Sequence, residues 1–259
     1  MLQTTIDTIL RLDDYRPSND VNKLFTRLVD LVLDAPESTT WDEMTIGRMQ
    51  AAASASESEM ELYWANRIAV SHQPAKTLCA FPYVSNYKKL VERELALVRG
   101  TGMVISDTSR VLMIGSGPLP LTTYQMMVMT SAQVDHVDVS QEALQISERV
   151  MQQLGYAVKN IHGDGAHVTL TTNQYDVVLI AGLAGRSLTE KQAIIDNILP
   201  SLKSTGRIIV RSARGPRALL YPAVSARSIR GARLLYEYHP DDDIINSVFI
   251  YKKELLHEA

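Results

Sequence analysis

Val111-Leu-Met-Ile-Gly-Ser-Gly-Pro-Leu-Pro-Leu-Thr122 is an apolar strand that runs directly into a glycine-rich turn. Gly115 and Gly117 allow backbone to pass close to a bound group, because a Cβ at either position would crowd it. A helix expected from about Leu119 to Met129 would point its free N–H groups at whatever lies in the turn. Such a turn also serves as a plain connector, so its surroundings decide. Downstream, strand and helix alternate as an open parallel sheet requires. Strands are expected at Gln133–Val139, Val158–His162, Tyr175–Ile180 and Arg207–Arg211. Amphipathic helices are expected at Gln141–Leu154 and from about Thr189 to Pro200, and a closing hairpin at Arg233–His239 and Ser247–Lys252. The Asp241–Asp243 run inside the hairpin reads as a solvated loop. The fold class is therefore α/β, a doubly wound Rossmann-like sheet that takes its ligand at the carboxyl ends of the strands.

Asp138 ends the second strand about 20 residues after the turn, where a carboxylate can accept hydrogen bonds from both ribose hydroxyls of a nucleoside. It also suits a plain role as an acid at a helix N-terminus. Asp164, in His162-Gly-Asp-Gly165, follows the third strand and can reach an adenine amino group, or simply shape a turn. With these two, Gly115, Ser116, Gly117, Pro118, Leu119, Val139, Gly165 and Ala181 make up the expected cofactor site, all at strand ends.

The first hundred residues are different. Ser18 caps a helix whose Val21, Leu24, Phe25, Leu28, Leu31 and Val32 fall at helical spacing, and Pro36 stops it. Further helices are expected at Trp41–Ala52, Glu57–Ser71 and Asn86–Val98. The division is a helical cap domain over residues 1–104 with its own core and an α/β domain over 105–259, linked through Gly100-Thr-Gly102.

The strand–turn pattern and the closing hairpin resemble class I S-adenosylmethionine-dependent methyltransferases. Two departures matter: Met113 stands where those enzymes carry an acid, and Leu119, between Pro118 and Pro120, stands where they carry a third glycine. Phe81-Pro-Tyr-Val-Ser-Asn-Tyr87, Gly115-Ser-Gly-Pro-Leu-Pro-Leu-Thr122 and Arg211-Ser-Ala-Arg-Gly-Pro-Arg-Ala-Leu-Leu-Tyr-Pro222 resemble signatures of the nicotianamine synthase family. The likeness also covers Glu57-x-x-x-Glu61-Leu-Tyr-Trp-Ala65 and extends more weakly from about residue 20 to 252. At 259 residues the chain is shorter than the plant enzymes and looks more like the bacterial branch that makes opine-type metallophores. That resemblance implies transfer of the 3-amino-3-carboxypropyl (aminobutanoyl) group of S-adenosylmethionine to the amine of an amino acid, histidine by analogy, with release of methylthioadenosine. A sulfonium has three activated carbons, and the one held in line with the nucleophile reacts. The changed turn is consistent with such a reorientation.

An attacking ammonium must first lose a proton, and a carboxylate or phenol beside it can take one. Glu57 and Glu61 lie one helical turn apart on one face. Tyr83 and Tyr87 bracket Asn86, a group able to bind an amino-acid head. By resemblance, Glu61 and Tyr87 contact the reacting amine, with Glu57 as a third catalytic candidate; a solvated helix face and core tyrosines are the plain alternative. Arg211, Arg217 and Tyr221 are expected to hold substrate carboxylates, since guanidinium forks match that shape. His167 is a further substrate candidate, or structural.

Composition excludes several classes. Twenty-six basic against 29 acidic residues leave no basic footprint for nucleic acid. The single cysteine, Cys79, allows no internal disulfide and no Cys-x-x-Cys site, and the six histidines are scattered, so no metal is expected. No apolar run is long enough for a membrane span, and the first residues lack a signal-peptide plan, so a cytoplasmic enzyme is expected. The expected partners are the amino-acid acceptor, a second copy of the chain, and an opine dehydrogenase acting next in the pathway. Two other readings stay open: a small-molecule methyltransferase, and a non-catalytic nucleoside-binding module.

Overall fold

A computed structural model describes residues 1–254, so residues 255–259 of the expected second unit lie outside the described part. Helices come first: α1 (Leu2–Ile9), α2 (Asn19–Leu33), α3 (Glu43–Ala69), α4 (Pro74–Cys79) and α5 (Val84–Gly100). The alternating half follows as β1 (Arg110–Ile114), α6 (Leu121–Thr130), β2 (Gln133–Asp138), α7 (Gln141–Gln153), β3 (Lys159–His162), β4 (Tyr175–Ile180), α8 (Leu188–Ile198) and β5 (Leu202–Ser212). The hairpin β6 (Ala232–Tyr238) and β7 (Ser247–Lys253) closes the chain.

Among the described residues, seven strands form one sheet in the order β3-β2-β1-β4-β5-β7-β6. β1 to β5 run parallel, while β7 lies antiparallel to both of its neighbours. The chain steps outward from β1 to β3, then returns to β4 on the other side of β1. That reversal opens a crevice at the carboxyl ends of β1 and β4, the place where a doubly wound sheet binds its ligand. Alternate side chains serve opposite faces of the sheet. Leu112, Ile114, Val178 and Ile180 pack with Ile194, Ile195 and Ile198 of α8. Val111, Met113, Val177 and Leu179 pack with Met126 of α6 and with Leu90, Val91 and Val98 of α5.

Two expected helices, Trp41–Ala52 and Glu57–Ser71, are one helix, α3, of 27 residues. Ser54, Ser56 and Ser58 mark the apparent break, yet each serine costs a helix only about 0.5 kcal/mol. Burial at both ends outweighs this. Met49, Ala52 and Ala53 join α1, α2, Leu219 and Leu220 in one core, and Ala65 and Ile68 join Leu119, Leu121, Ile146 and Val150 in another. Full burial of one Met, Ile or Leu is worth roughly 1.5–3 kcal/mol. The serine-rich middle is thereby suspended between two cores, and it faces the crevice. The helical residues do not form a closed core of their own, because residues of the α/β half complete each cluster.

Candidate active site

Between α3, α5 and the strand ends lies a cavity of about 950 Å³. Its floor is the glycine turn. Gly115 and Gly117 both have positive φ, +78° and +65°. A Cβ on Gly115 would stand 3.1 Å from the Cβ of Ala184 and 3.3 Å from that of Ala181, so the β4 loop closes down on the turn. A Cβ on Gly117 would stand 2.7 Å from Oε2 of Glu61. The second glycine thus makes room for a carboxylate carried by α3. Pro118, Leu119 and Ser116 continue the floor.

Asp138 is where the ribose-binding acid was expected, and part of its capacity is already used. Its Oδ2 accepts the Gly117 N–H at 2.9 Å and its Oδ1 accepts the Ser140 N–H at 2.9 Å, so it ties β2 to the turn. Val139, Asp164, Gly165 and Ala181 line the same cavity. Asp164 is held below the usual carboxylate range, first by the Ala166 N–H and then by His167, whose Nδ1 donates to it at 2.8 Å. His167 therefore stands on the rim, orienting Asp164.

Across the glycine turn, toward α3 and α5, four groups form one hydrogen-bonded set. Tyr87 Oη donates to Oε1 of Glu61 at 3.0 Å and lies 3.4 Å from Oε1 of Glu57. Tyr221 Oη donates to Oε2 of Glu57 at 2.7 Å. Burial raises the pKa of Glu61 well above its ordinary value, and the Glu57 charge and then that of Asp138 add to the rise. Glu57 is also raised by burial, against the pull of the two tyrosine hydroxyls and Arg211. Burial and the neighbouring carboxylates push both tyrosines up, so they stay protonated and donate. Two carboxylates set this close in an enclosed space favour sharing a proton over both ionising. The group can accept a proton and orient a small polar ligand.

Other candidates hold different posts. Arg211, expected on a substrate carboxylate, is buried with Nε and Nη2 committed to Glu94 at 2.7 and 3.0 Å, although it still forms part of the cavity wall. Arg217 is not on the wall, and its Nη2 donates to the Asp242 carbonyl at 2.9 Å. Asn86 faces the cavity with its amide on Asp243 at 3.1 Å, and Tyr83 lines the wall with its ring edge-on to Phe81. The Asp241–Asp243 segment is more than a solvated loop. Asp242 pairs with Arg93 and Asp243 with Lys89, which straps the β6–β7 connection to α5. Glu94, Lys191 and Asn246 were not anticipated. Lys191 alone left a trace, since it falls in helical register with Ile194, Ile195 and Ile198. Among the described residues, no group of three His, Cys, Asp or Glu side chains is placed to hold a metal ion. No helix among them is long and apolar enough to cross a membrane.

The sheet order and the crevice above β1 and β4 define an α/β protein of the methyltransferase-like type. A likeness of that kind extends to an S-adenosylmethionine-dependent methyltransferase from Clostridium acetobutylicum (TM-score 0.53, 11% identity, 65% of this chain and 92% of the other). The family model described as nicotianamine synthase protein matches residues 2–258, and the chain belongs to that family. Nicotianamine synthase 9 of Hordeum vulgare is 33% identical over 93% of this chain and 74% of its own length. Nicotianamine synthase 3 of Oryza sativa subsp. indica is 30% identical over 94% and 74%. In structure the chain resembles MtNAS in complex with MTA and tNA, with TM-score 0.81 and 23% identity over 98% of this chain and 97% of that one.

Proposed function

We propose that this protein transfers the 3-amino-3-carboxypropyl group of S-adenosylmethionine to the α-amine of an amino acid, histidine by resemblance, and releases methylthioadenosine. Nitrogen bonds to the carbon next to sulfur, the C–S bond breaks with its electron pair going to sulfur, and a proton leaves the nitrogen for Glu61. The observation that carries this reading is the Glu57–Glu61–Tyr87–Tyr221 set facing the glycine turn, with a Glu61 oxygen against Gly117. A proton acceptor is thereby fixed beside the floor on which a nucleoside would rest. Family membership supports the donor, as does the relative MtNAS, a variant of which has been solved in complex with S-adenosylmethionine. The fit of this chain's residues supports it too: Asp138 retains a free lone pair on each oxygen, and Asp164 lines the same cavity, where it could meet the adenine amino group.

Each residue then has a task. Tyr87 and Tyr221 donate to the carboxylates and hold them toward the cavity. Glu57 and Glu61, raised by burial, sit nearer the range in which a general base both accepts and releases a proton. Residues 1–104 act as a cap that excludes water from the reacting centre. The product belongs to opine-metallophore synthesis in this reading, with an opine dehydrogenase acting next.

The test is incubation with S-adenosylmethionine and a panel of amino acids, read by mass spectrometry. Methylthioadenosine with an acceptor heavier by one aminobutanoyl unit is the expected result. S-adenosylhomocysteine would instead identify a methyltransferase, and absence of turnover a nucleoside-binding module.

A further inference from the structure

Lys191 and Asn246 have no task in that reaction, yet both are built into the site. Lys191 is fully buried, and its Nζ donates to the carbonyls of Ala181 at 3.1 Å, Gly182 at 3.2 Å and Ala184 at 2.8 Å. Those residues form the loop after β4. The loop lies between the ammonium and the cavity, because Ala181 to Gly185 line the cavity and Lys191 does not.

A trans peptide is planar, so each C=O points opposite to the N–H of the next residue. No peptide among the described residues is cis. With three carbonyls drawn onto Lys191, the N–H groups of Gly182, Leu183 and Gly185 turn to the cavity side. Among the described residues none of these three meets a protein acceptor. Gly182 is buried, and a buried backbone donor is ordinarily paired, so its free N–H is available to a ligand; Leu183 and Gly185 are half-buried beside it.

A side chain converges on the same spot. Nδ2 of Asn246 is buried and has no hydrogen-bond partner among the described residues. It lies against Gly182, where a Cβ would stand 3.0 Å from that nitrogen and 2.9 Å from the ring of Tyr221. Asn246 lines the cavity as well. Several free donors on a loop whose carbonyls are held from behind by Lys191 are the makings of an anion cradle, since successive backbone N–H groups bind oxyanions.

We propose that the N–H groups of Gly182 and Leu183 and the amide of Asn246 form a carboxylate-binding subsite, with Lys191 as the positioning residue that turns the loop. This rests on the transfer reading, in which donor and acceptor are both amino acids and either can supply the carboxylate. Lys191 acts only through the loop, so its loss changes binding more than chemistry.

The test compares each acid with its uncharged analogue in the native protein and in Asn246→Ala. Calorimetry without acceptor compares S-adenosylmethionine with its decarboxylated form, and KM at saturating donor compares histidine with histidinamide. In one pair the native preference for the acid, about tenfold or more for a charge-assisted bond, should shrink to below about threefold in Asn246→Ala. That pair identifies the source. Lys191→Met should raise KM for the same ligand with kcat nearly unchanged. Without any variant, the amide resonances of Gly182 and Leu183 in labelled native protein should move downfield with the acid and not with its analogue. Unchanged preference in both pairs, or resonances that do not separate acid from analogue, overturns the subsite alone. Native protein that binds neither S-adenosyl compound overturns the transfer reading and the subsite with it.

Discussion

Glu61 is half-buried beside a second carboxylate, and both circumstances favour its protonated form. In its proposed role of general base it should affect the chemistry rather than binding. Glu61→Gln keeps the shape and loses the base, so kcat should fall roughly 10²–10⁴-fold, while S-adenosylmethionine affinity stays within about threefold. Single-turnover kinetics and calorimetry separate the two, and unchanged turnover would remove Glu61 from the mechanism. The same residue predicts a pH effect of definite sign. A carboxyl whose folded pKa is raised above its ordinary 4.5 contributes stability that is fully present below that value. That contribution is lost as pH rises through the folded pKa. Gln cannot ionise, so the variant should melt above native protein at pH 8, with the difference closing toward pH 4. A difference constant across that range would show that Glu61 is not perturbed. Gly117→Ala places a Cβ 2.7 Å from the Glu61 carboxylate on a backbone with φ +65°. It should cost about 1–3 kcal/mol of stability and lower turnover together with donor affinity, as thermal melting and calorimetry would show.

At the scale of elements, the strands were legible because their information is local. Val111–Ile114 and Tyr175–Ile180 are apolar runs bounded by turn residues, and the glycine turn sits where β1 must end. The division of α3 into two helices failed for a physical reason. Its small, serine-rich middle carries no apolar rhythm, and the forces that keep it helical come from cores at either end. Arg211 illustrates the same limit within the site. Its residue type announces carboxylate binding, but its partner Glu94 lies 117 residues away, and no spacing rule links them. That pair joins α5 to β5 and is fully enclosed, with side-chain exposures of 6% and 0%. Removing one partner leaves an uncompensated buried charge at a cost of roughly 3–5 kcal/mol. Glu94→Gln should therefore lower Tm by about 10 °C, taking 2–4 °C per kcal/mol for a chain of this size. Pairing it with Arg211→Met should recover much of the loss. A single variant that melts like native protein would mean that the pair is not closed to solvent. By contrast, the Lys89–Asp243 pair is half-exposed and should contribute no more than about 1 kcal/mol.

For the whole molecule, the question is whether two halves that look distinct in sequence can stand apart. Composition and motif spacing suggest a boundary near residue 104, and the chain does change there from helices to alternating strands. The cores do not change with it. Leu90, Val91 and Val98 of α5 belong to the core on one face of the sheet. Leu219 and Leu220 of the α/β half are buried among α1, α2 and α3, and Leu119, Leu121, Ile146 and Val150 among the residues of α3 and α4. Deleting residues 1–104 would uncover about ten large apolar side chains, each worth roughly 1.5–3 kcal/mol when fully buried. Even if each lost only half its cover, the sum would be about 10 kcal/mol, comparable with the entire stability of a typical domain. A chain of residues 105–259 is therefore expected to be insoluble, or to bind a hydrophobic dye and melt without a cooperative transition. Added helical fragment 1–104 should restore cooperative melting, because the missing surface is complementary and intact. If the shorter chain instead melts cooperatively by itself, the two halves are separate folding units and the cap is only docked. The distinction bears on function: Glu57, Glu61 and Tyr87 ride on α3 and α5, so only a cap whose core is shared with the sheet holds them rigidly over the glycine turn.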